Sequence, residues 1–320
     1  MLKILSYAVL VLLLALVALA AIAWWSLRAP DLPAEQLERE FQTPNERHVE
    51  VGPGLRLHYR DEGPADAPVL LLLHGYGDSY ATWEGWSPVL RDRWRVISLD
   101  LPGHGLTAAP AGFVLDGNAL TTIVLGFADK IGAKRFAVAG NSMGGGVAWK
   151  LALAAPERVQ ALVLVSAAGW PSEATGASPS LAFRLLQYQW GRDLLASIDN
   201  RPLIKQGLTA QVHDKALITD AVIDRWARYQ RYPGHRDVLM SAPPASHATA
   251  TAEKLAAVKA PTLVLHGEDD PLIPVEHSRR FAAAIPGAKL IVYPDVGHLP
   301  QREIPERSAK DVGEFLAAQR

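Results

Sequence analysis

Four short, largely apolar runs set the limits on how this chain folds. They are Pro68–Leu73, Arg95–Leu99, Phe136–Ala139 and Leu162–Val165, and each closes on a histidine, aspartate, glycine or serine. A run that short and continuous fits a strand buried on both faces. Between the runs lie segments with helical spacing. Trp83, Trp86 and Leu90 mark one. Asp116 to Ile131 is a second, with Leu120, Val124 and Phe127 on one face, and Val147 to Ala154 is a third. Strands alternating with helices imply parallel βαβ units, hence an α/β fold with a mostly parallel, doubly wound sheet. Upstream, His48–Val51 and Leu55–Tyr59 flank Gly52-Pro53-Gly54, which signals a hairpin.

The alternation breaks between Gly169 and about Val258, where no buried-strand run occurs. The spacing there predicts short helices over Leu181–Gln189, Asp193–Ile198, Leu203–Val212 and Asp220–Tyr229. Strands resume with Thr262–Leu265 and Lys289–Tyr293, separated by a helix over Val275–Ile285 and followed by one over Glu306–Ala318. An insertion of that size in a parallel-sheet domain is expected to cap the sheet's active edge. With 320 residues, 49% of them apolar, one large domain over residues 48–320, its cap at about 169–258, is favoured over two small ones.

The chemistry concentrates at the strand ends. Gly140-Asn141-Ser142-Met143-Gly144 sits between an apolar strand and a helix, the context a G-x-S-x-G turn requires. Glycines let so tight a turn pass its neighbours. The turn lifts the Ser142 hydroxyl above the strand ends and aims free helix N–H groups at the same place. A serine is a weak nucleophile without a base. Of ten histidines, only His298 follows a late strand inside a glycine-led loop, Tyr293-Pro294-Asp295-Val296-Gly297-His298. The acid that orients it should follow Leu265-His266-Gly267, where Glu268, Asp269 and Asp270 stand together. Residue type does not separate these three. Asp270 is preferred because it lies furthest into the loop and is pinned by Pro271, with Asp269 next and Glu268 third. The preceding strand end, Ser166-Ala167-Ala168-Gly169, offers no carboxylate. Two N–H donors are needed for a tetrahedral oxyanion, each worth about 3 kcal/mol of barrier. The backbone of Met143 supplies one. Tyr76, in His74-Gly75-Tyr76-Gly77 after an earlier strand, supplies the other.

The N-terminus departs from the rest. From Ile4 to Trp25 the one clearly polar side chain is Ser6. About 20 such residues suffice to cross a bilayer as a helix, and Trp24 and Trp25 close the run as interfacial aromatics do. A membrane anchor over residues 1–28 is expected, then a linker over 29–47, with membrane lipid as a partner. A cleaved signal peptide would carry a shorter apolar region, about 7–15 residues. Lys3 and the terminal amine precede the run and Arg28 follows it, which tips the folded domain toward the non-cytoplasmic side. The formal charge of −1, without a basic cluster, argues against nucleic acid. The absence of cysteine excludes disulfides, a thiolate nucleophile and thiolate metal sites. No glycine-rich cofactor loop and no histidine–carboxylate metal spacing is present, so neither cofactor nor metal is expected. Nothing in the sequence sets an oligomeric state.

Taken in order, His74-Gly75-Tyr76-Gly77, Asp100-Leu101-Pro102-Gly103-His104-Gly105, Gly140-Asn141-Ser142-Met143-Gly144-Gly145, Gly267-Glu268-Asp269-Asp270-Pro271-Leu272-Ile273-Pro274 and Gly297-His298 resemble the α/β-hydrolase superfamily over residues 48–318. Within it the chain is most similar to membrane-anchored esterases and lipases, including monoacylglycerol lipases. The resemblance implies a triad of Ser142, Asp270 and His298, with Tyr76 and Met143 as oxyanion donors. Asn141 departs from the histidine that many relatives carry, at a position outside the triad. Asp100, His104, Trp170 and Trp190 read as structural, with the cap pocket as the alternative place for the two tryptophans. The expected activity is hydrolysis of carboxylic esters with apolar acyl chains through an acyl-enzyme. A carbon–carbon bond hydrolase of diketones or a cofactor-free perhydrolase would use the same triad. An inactive membrane-tethered binding module is disfavoured by the intact set of groups.

Overall fold

The computed structural model describes residues 2–41, 43–171, 184–241 and 249–319. Its centre is an eight-stranded sheet: β1 (Glu46–Gly52), β2 (Leu55–Glu62), β3 (Val69–Leu73), β4 (Arg95–Leu99), β5 (Phe136–Asn141), β6 (Val159–Val165), β7 (Thr262–Gly267) and β8 (Lys289–Tyr293). The spatial order is β1-β2-β4-β3-β5-β6-β7-β8. β2 runs antiparallel to both of its neighbours, and β3 to β8 are mutually parallel. The chain leaves β3 toward one edge and returns to its other side as β5. Open α/β sheets bind ligands at the carboxyl ends of strands at such a reversal, so the crevice belongs where Leu73 and Gly140 sit side by side.

Both faces of the parallel strands β3 to β7 are covered, which is why these strands carry no regular polar alternation. On β3, Leu71 and Leu73 join one core while Leu70 and Leu72 join the other, all fully buried. The first core takes Leu120, Val124 and Phe127 from the helix Gly117–Lys130. Asp116 caps that helix, its Oδ2 accepting from the N–H groups of Asn118 and Ala119 at 2.9 Å. The second core takes Trp83, Trp86 and Leu90, and Val312 and Phe315 from the helix Pro305–Ala317. The Trp86 indole N–H donates to Ser308 Oγ at 2.8 Å. The single helix expected across Trp83–Leu90 is two pieces, a 3-10 turn at Tyr80–Trp83 and one helical turn at Ser87–Leu90. Gly85 breaks it, where Pro305 lies too close for any side chain, and Pro88 opens the second piece.

Between β6 and β7 the described residues form the cap: helices Gln189–Ser197, Arg201–Gln211, Asp220–Tyr229 and His235–Ser241. The helix expected over Leu181–Gln189 lies partly outside the described residues. The cap packs a small core of its own, Ile204, Leu208, Val212, Ile223 and Trp226, onto Leu299 of the sheet domain.

The N-terminal helix is Leu2–Leu27. Val9–Leu27 has a mean hydropathy of 2.6 and is long and apolar enough to cross a membrane. The segment after it is no free linker. Ala29 N–H donates to Ser197 O at 3.0 Å and Leu32 N–H to Arg231 O at 2.7 Å. The Arg236 guanidinium donates to Ala29 O and to Asp31 Oδ1, both at 2.6 Å. A helix at Ala34–Phe41 then buries Leu37 against Leu106, Tyr229 and Tyr232. The expected linker is therefore a strap fastening the N-terminal helix to the cap.

Candidate active site

Ser142 stands between β5 and the helix Met143–Ala154 with φ 53° and ψ −118°. A left-handed φ on a non-glycine residue is costly and persists where the surroundings impose it. Here the imposition is close packing: a side chain at position 144 would meet Leu73 O at 2.2 Å. The strained turn holds Ser142 partly exposed while Asn141 and Met143 on either side are buried.

His298 lies in the loop after β8, nearly buried. Its Nδ1–H donates to Asp270 Oδ2 at 2.7 Å. The other oxygen, Asp270 Oδ1, accepts from the N–H groups of Leu272 at 2.8 Å and Ile273 at 3.0 Å. Burial pushes the Asp270 carboxyl upward, but His298 and the hydrogen bond it donates outweigh that and hold the group below the usual carboxylate range. An ionised Asp270 at Nδ1 fixes the histidine tautomer and leaves Nε2 as the basic atom. Behind Asp270, His266 accepts at Nδ1 from Ser278 Oγ at 2.7 Å and donates from Nε2 to Ile273 O at 2.9 Å. Burial lowers its pKa, so it stays neutral.

The competing carboxylates point elsewhere. Asp269 is half exposed and meets His213 Nδ1 of the cap at 2.6 Å, and Glu268 is exposed. His213, Asp269 and Asp295 lie within 4.8 Å of one another at the surface, a cluster their spacing in sequence does not show.

The loop after β3 comes close to the serine turn: a side chain at position 75 would touch Ser142 Cβ at 3.2 Å. His74 sets this loop. Its Nε2 accepts from Leu101 N–H at 3.0 Å, so the proton is on Nδ1, which donates to Gly75 O at 2.7 Å. Gly75 O also accepts from Asp78 N–H at 3.3 Å. In a trans peptide the carbonyl and the following N–H point in opposite directions. Anchoring Gly75 O therefore aims the Tyr76 N–H to the other side. The Tyr76 hydroxyl donates to Leu239 O of the cap at 2.5 Å.

Asn141 lies outside the triad but ties its parts together. Its Nδ2–H groups donate to Val165 O and to His298 O, both at 3.2 Å, so it ties the serine turn to the histidine loop. Asp100 is structural, as expected: Oδ2 accepts from His58 Nδ1–H and Leu106 N–H, and Oδ1 from Tyr80 N–H. Trp170 is buried against Phe281, and Trp190 is 61% exposed on the cap.

A cavity of about 140 Å³ opens beside Tyr76 and Gly77, walled by Leu186, Leu195, Leu208, Trp226 and Leu239 of the cap. The tryptophan that lines it is Trp226, neither of the two singled out from the sequence. No charged side chain lines it among the described residues.

Comparison with known proteins agrees with this architecture. Residues 68–303 match the α/β hydrolase fold family, and the chain belongs to it. It is a hydrolase by that membership. It is 31% identical over 292 residues to a 2-hydroxy-6-oxo-6-phenylhexa-2,4-dienoate hydrolase of Burkholderia cepacia, covering 89% of this chain and 98% of the relative. Among solved structures it resembles a meta-cleavage product hydrolase from Pseudomonas fluorescens IP01, with TM-score 0.74 and 25% identity over 86% of this chain and 98% of that one. It also resembles a membrane phospholipase A, with TM-score 0.70 and 28% identity, covering 97% of both chains.

Proposed function

We propose that this chain is a membrane-anchored serine hydrolase that cleaves carboxylic esters of apolar acyl chains, monoacylglycerols among them. The observation that carries the reading is the Asp270–His298 pair, held by Asn141 against the serine turn, with Gln211, which accepts the His298 backbone N–H, and Tyr76 lining a cavity that has no charged wall among the described residues. In this reading His298 Nε2 takes the proton of Ser142, whose oxygen attacks the acyl carbonyl. The oxyanion rests on the N–H groups of Tyr76 and Met143, and His298 returns the proton to the departing alcohol. Water activated by His298 then releases the acid. Asp270 keeps the imidazole in its working tautomer and stabilises its charged form.

Two features support an apolar, membrane-borne substrate. The likeness to the membrane phospholipase A spans the N-terminal helix as well as the sheet domain. The cavity offers hydrocarbon and amide walls but no cation among the described residues. The anchor reading follows from the 19-residue span Val9–Leu27, of mean hydropathy 2.6, and the flanking charges favour a non-cytoplasmic hydrolase domain.

A second reading, hydrolysis of a carbon–carbon bond in a vinylogous diketone, is favoured by the names of the curated relatives. The same Ser142 and His298 would serve. The dienoate carboxylate, however, would enter a cavity that offers it no charged partner among the described residues, a costly placement. The two readings separate on substrates. Rates on p-nitrophenyl esters from short to long acyl chains, and on 2-hydroxy-6-oxo-6-phenylhexa-2,4-dienoate, are measured for the wild type and Ser142→Ala. The ester reading expects Ser142-dependent turnover that rises with chain length and little on the dienoate. Turnover of the dienoate alone transfers the assignment to the second reading.

A further inference from the structure

The strip that links two cap helices, residues 211–214, touches the cavity, the histidine loop and the acid loop. Gln211 lines the cavity, and its carbonyl accepts the His298 backbone N–H at 2.7 Å. His213 meets Asp269 in the acid loop. Asp269 N–H in turn donates to Val296 O, just before the histidine. The approach is so close that a side chain at position 297 would stand 2.3 Å from Gln211 O and 2.9 Å from Val212 Cα.

One carboxylate closes this junction. Glu303, at the end of the turn Pro300–Glu303, accepts from His213 N–H through Oε2 at 2.6 Å. It accepts from Gly297 N–H through Oε1 at 2.8 Å. The N–H groups of Asp214 and Leu299 also reach it. Its two oxygens thus gather donors from the cap on one side and from the histidine loop on the other. Burial holds the Glu303 carboxyl above its usual range against the pull of these N–H groups, and without it the Gly297 N–H, in a buried stretch of chain, would be unpaired.

Resting on the serine-hydrolase reading above, we propose that Glu303 is a positioning residue for His298. Its carboxylate fastens the cap strip Gln211–Asp214 to the Gly297–His298 loop. The wall of the substrate cavity and the general base then move as one body, so filling the cavity sets the base. Glu303 touches no reacting atom.

The test is Glu303→Gln. The amide keeps the shape but turns an NH2 group toward one of the N–H donors. The second-order rate of Ser142 labelling by a serine-directed phosphonate, and kcat on a short ester, should both fall about 10- to 100-fold, the scale on which a small misplacement acts. KM for the short ester should stay within about twofold. A variant that melts at lower temperature yet labels at the wild-type rate, well below its melting point, overturns the proposal. A second measurement needs no variant. Hydrogen exchange in the wild type should show segments 209–214 and 294–299 opening at one common rate, and distinct rates overturn the clamp. If the wild type takes no label at Ser142, the serine-hydrolase reading fails instead, and the exchange measurement still judges the clamp.

Discussion

Two buried histidine–aspartate pairs stand among the described residues. His298–Asp270 and His58–Asp100 each bring a histidine Nδ1 to an aspartate Oδ2 at 2.7 Å, and in both pairs the side chains are almost wholly buried. The difference lies at the far nitrogen. His58 Nε2 faces a second buried carboxylate, Glu46 Oε2, at 3.4 Å. Burial opposes a charge on His58, but Asp100 and Glu46 push it up to about 9. Glu46 goes down to about 2 against its own burial, chiefly through His58. An imidazole held charged from both sides has no lone pair to offer. His298 gives only Nδ1 to a carboxylate among the described residues, and its loop is tied by Asn141 to the turn that carries Ser142. On the proposed function, a histidine–aspartate pair serves as a strut or as a reaction centre according to what its other nitrogen meets.

The widest separation between the two should come from removing each acid in turn. Asp270→Asn should keep the fold and lower kcat about 10³- to 10⁴-fold, as loss of the tautomer-fixing acid does in such triads; steady-state kinetics on the preferred substrate reads it. Asp100→Asn should do the reverse. Breaking a buried charged pair costs about 3–5 kcal/mol of stability, visible in urea unfolding, while the rate per folded molecule stays within a few-fold.

The His58 pair also predicts a pH dependence. Its folded pKa, about 9, lies above the ordinary 6.5, so its contribution is complete below pH 6.5 and is lost as pH rises through 9. Glu46 acts at the other end, its contribution complete above about 4.5 and lost as pH falls through about 2. The urea midpoint of the wild type should therefore fall between pH 7 and 10, and His58→Phe should remove that slope. The smallest effect belongs to the exposed pair. Asp269→Asn breaks a bond to His213 at the surface, worth under about 1 kcal/mol, and should leave turnover within about twofold. A large loss there would undo the distinction between Asp269 and Asp270.

What the sequence makes legible is whatever is local. The buried strands read directly because both faces are covered. The face of Leu120, Val124 and Phe127 reads from spacing, and all three are fully buried. Ser142's turn reads because its glycines stand two residues away. Asp270 was preferred for its depth in the loop; the structure adds that Leu272 and Ile273 N–H groups grip its carboxylate. What stays hidden depends on partners far along the chain. Asn141 meets His298 157 residues away, His58 meets Asp100 at 42, and Glu303 meets His213 at 90. Residues 29–41 look like a linker because the groups that bind them, Arg231 and Arg236, lie in the cap. No local pattern announces such pairs, since each side alone is an ordinary polar residue.

The central claim is that Ser142 is the nucleophile. Mass-spectrometric mapping of the adduct formed by a serine-directed phosphonate on the full-length chain tests it most directly. The account predicts a single adduct on the peptide carrying Ser142, absent in Ser142→Ala and slowed in Asp270→Asn but not in Asp100→Asn. No adduct, or an adduct on another residue, would contradict it.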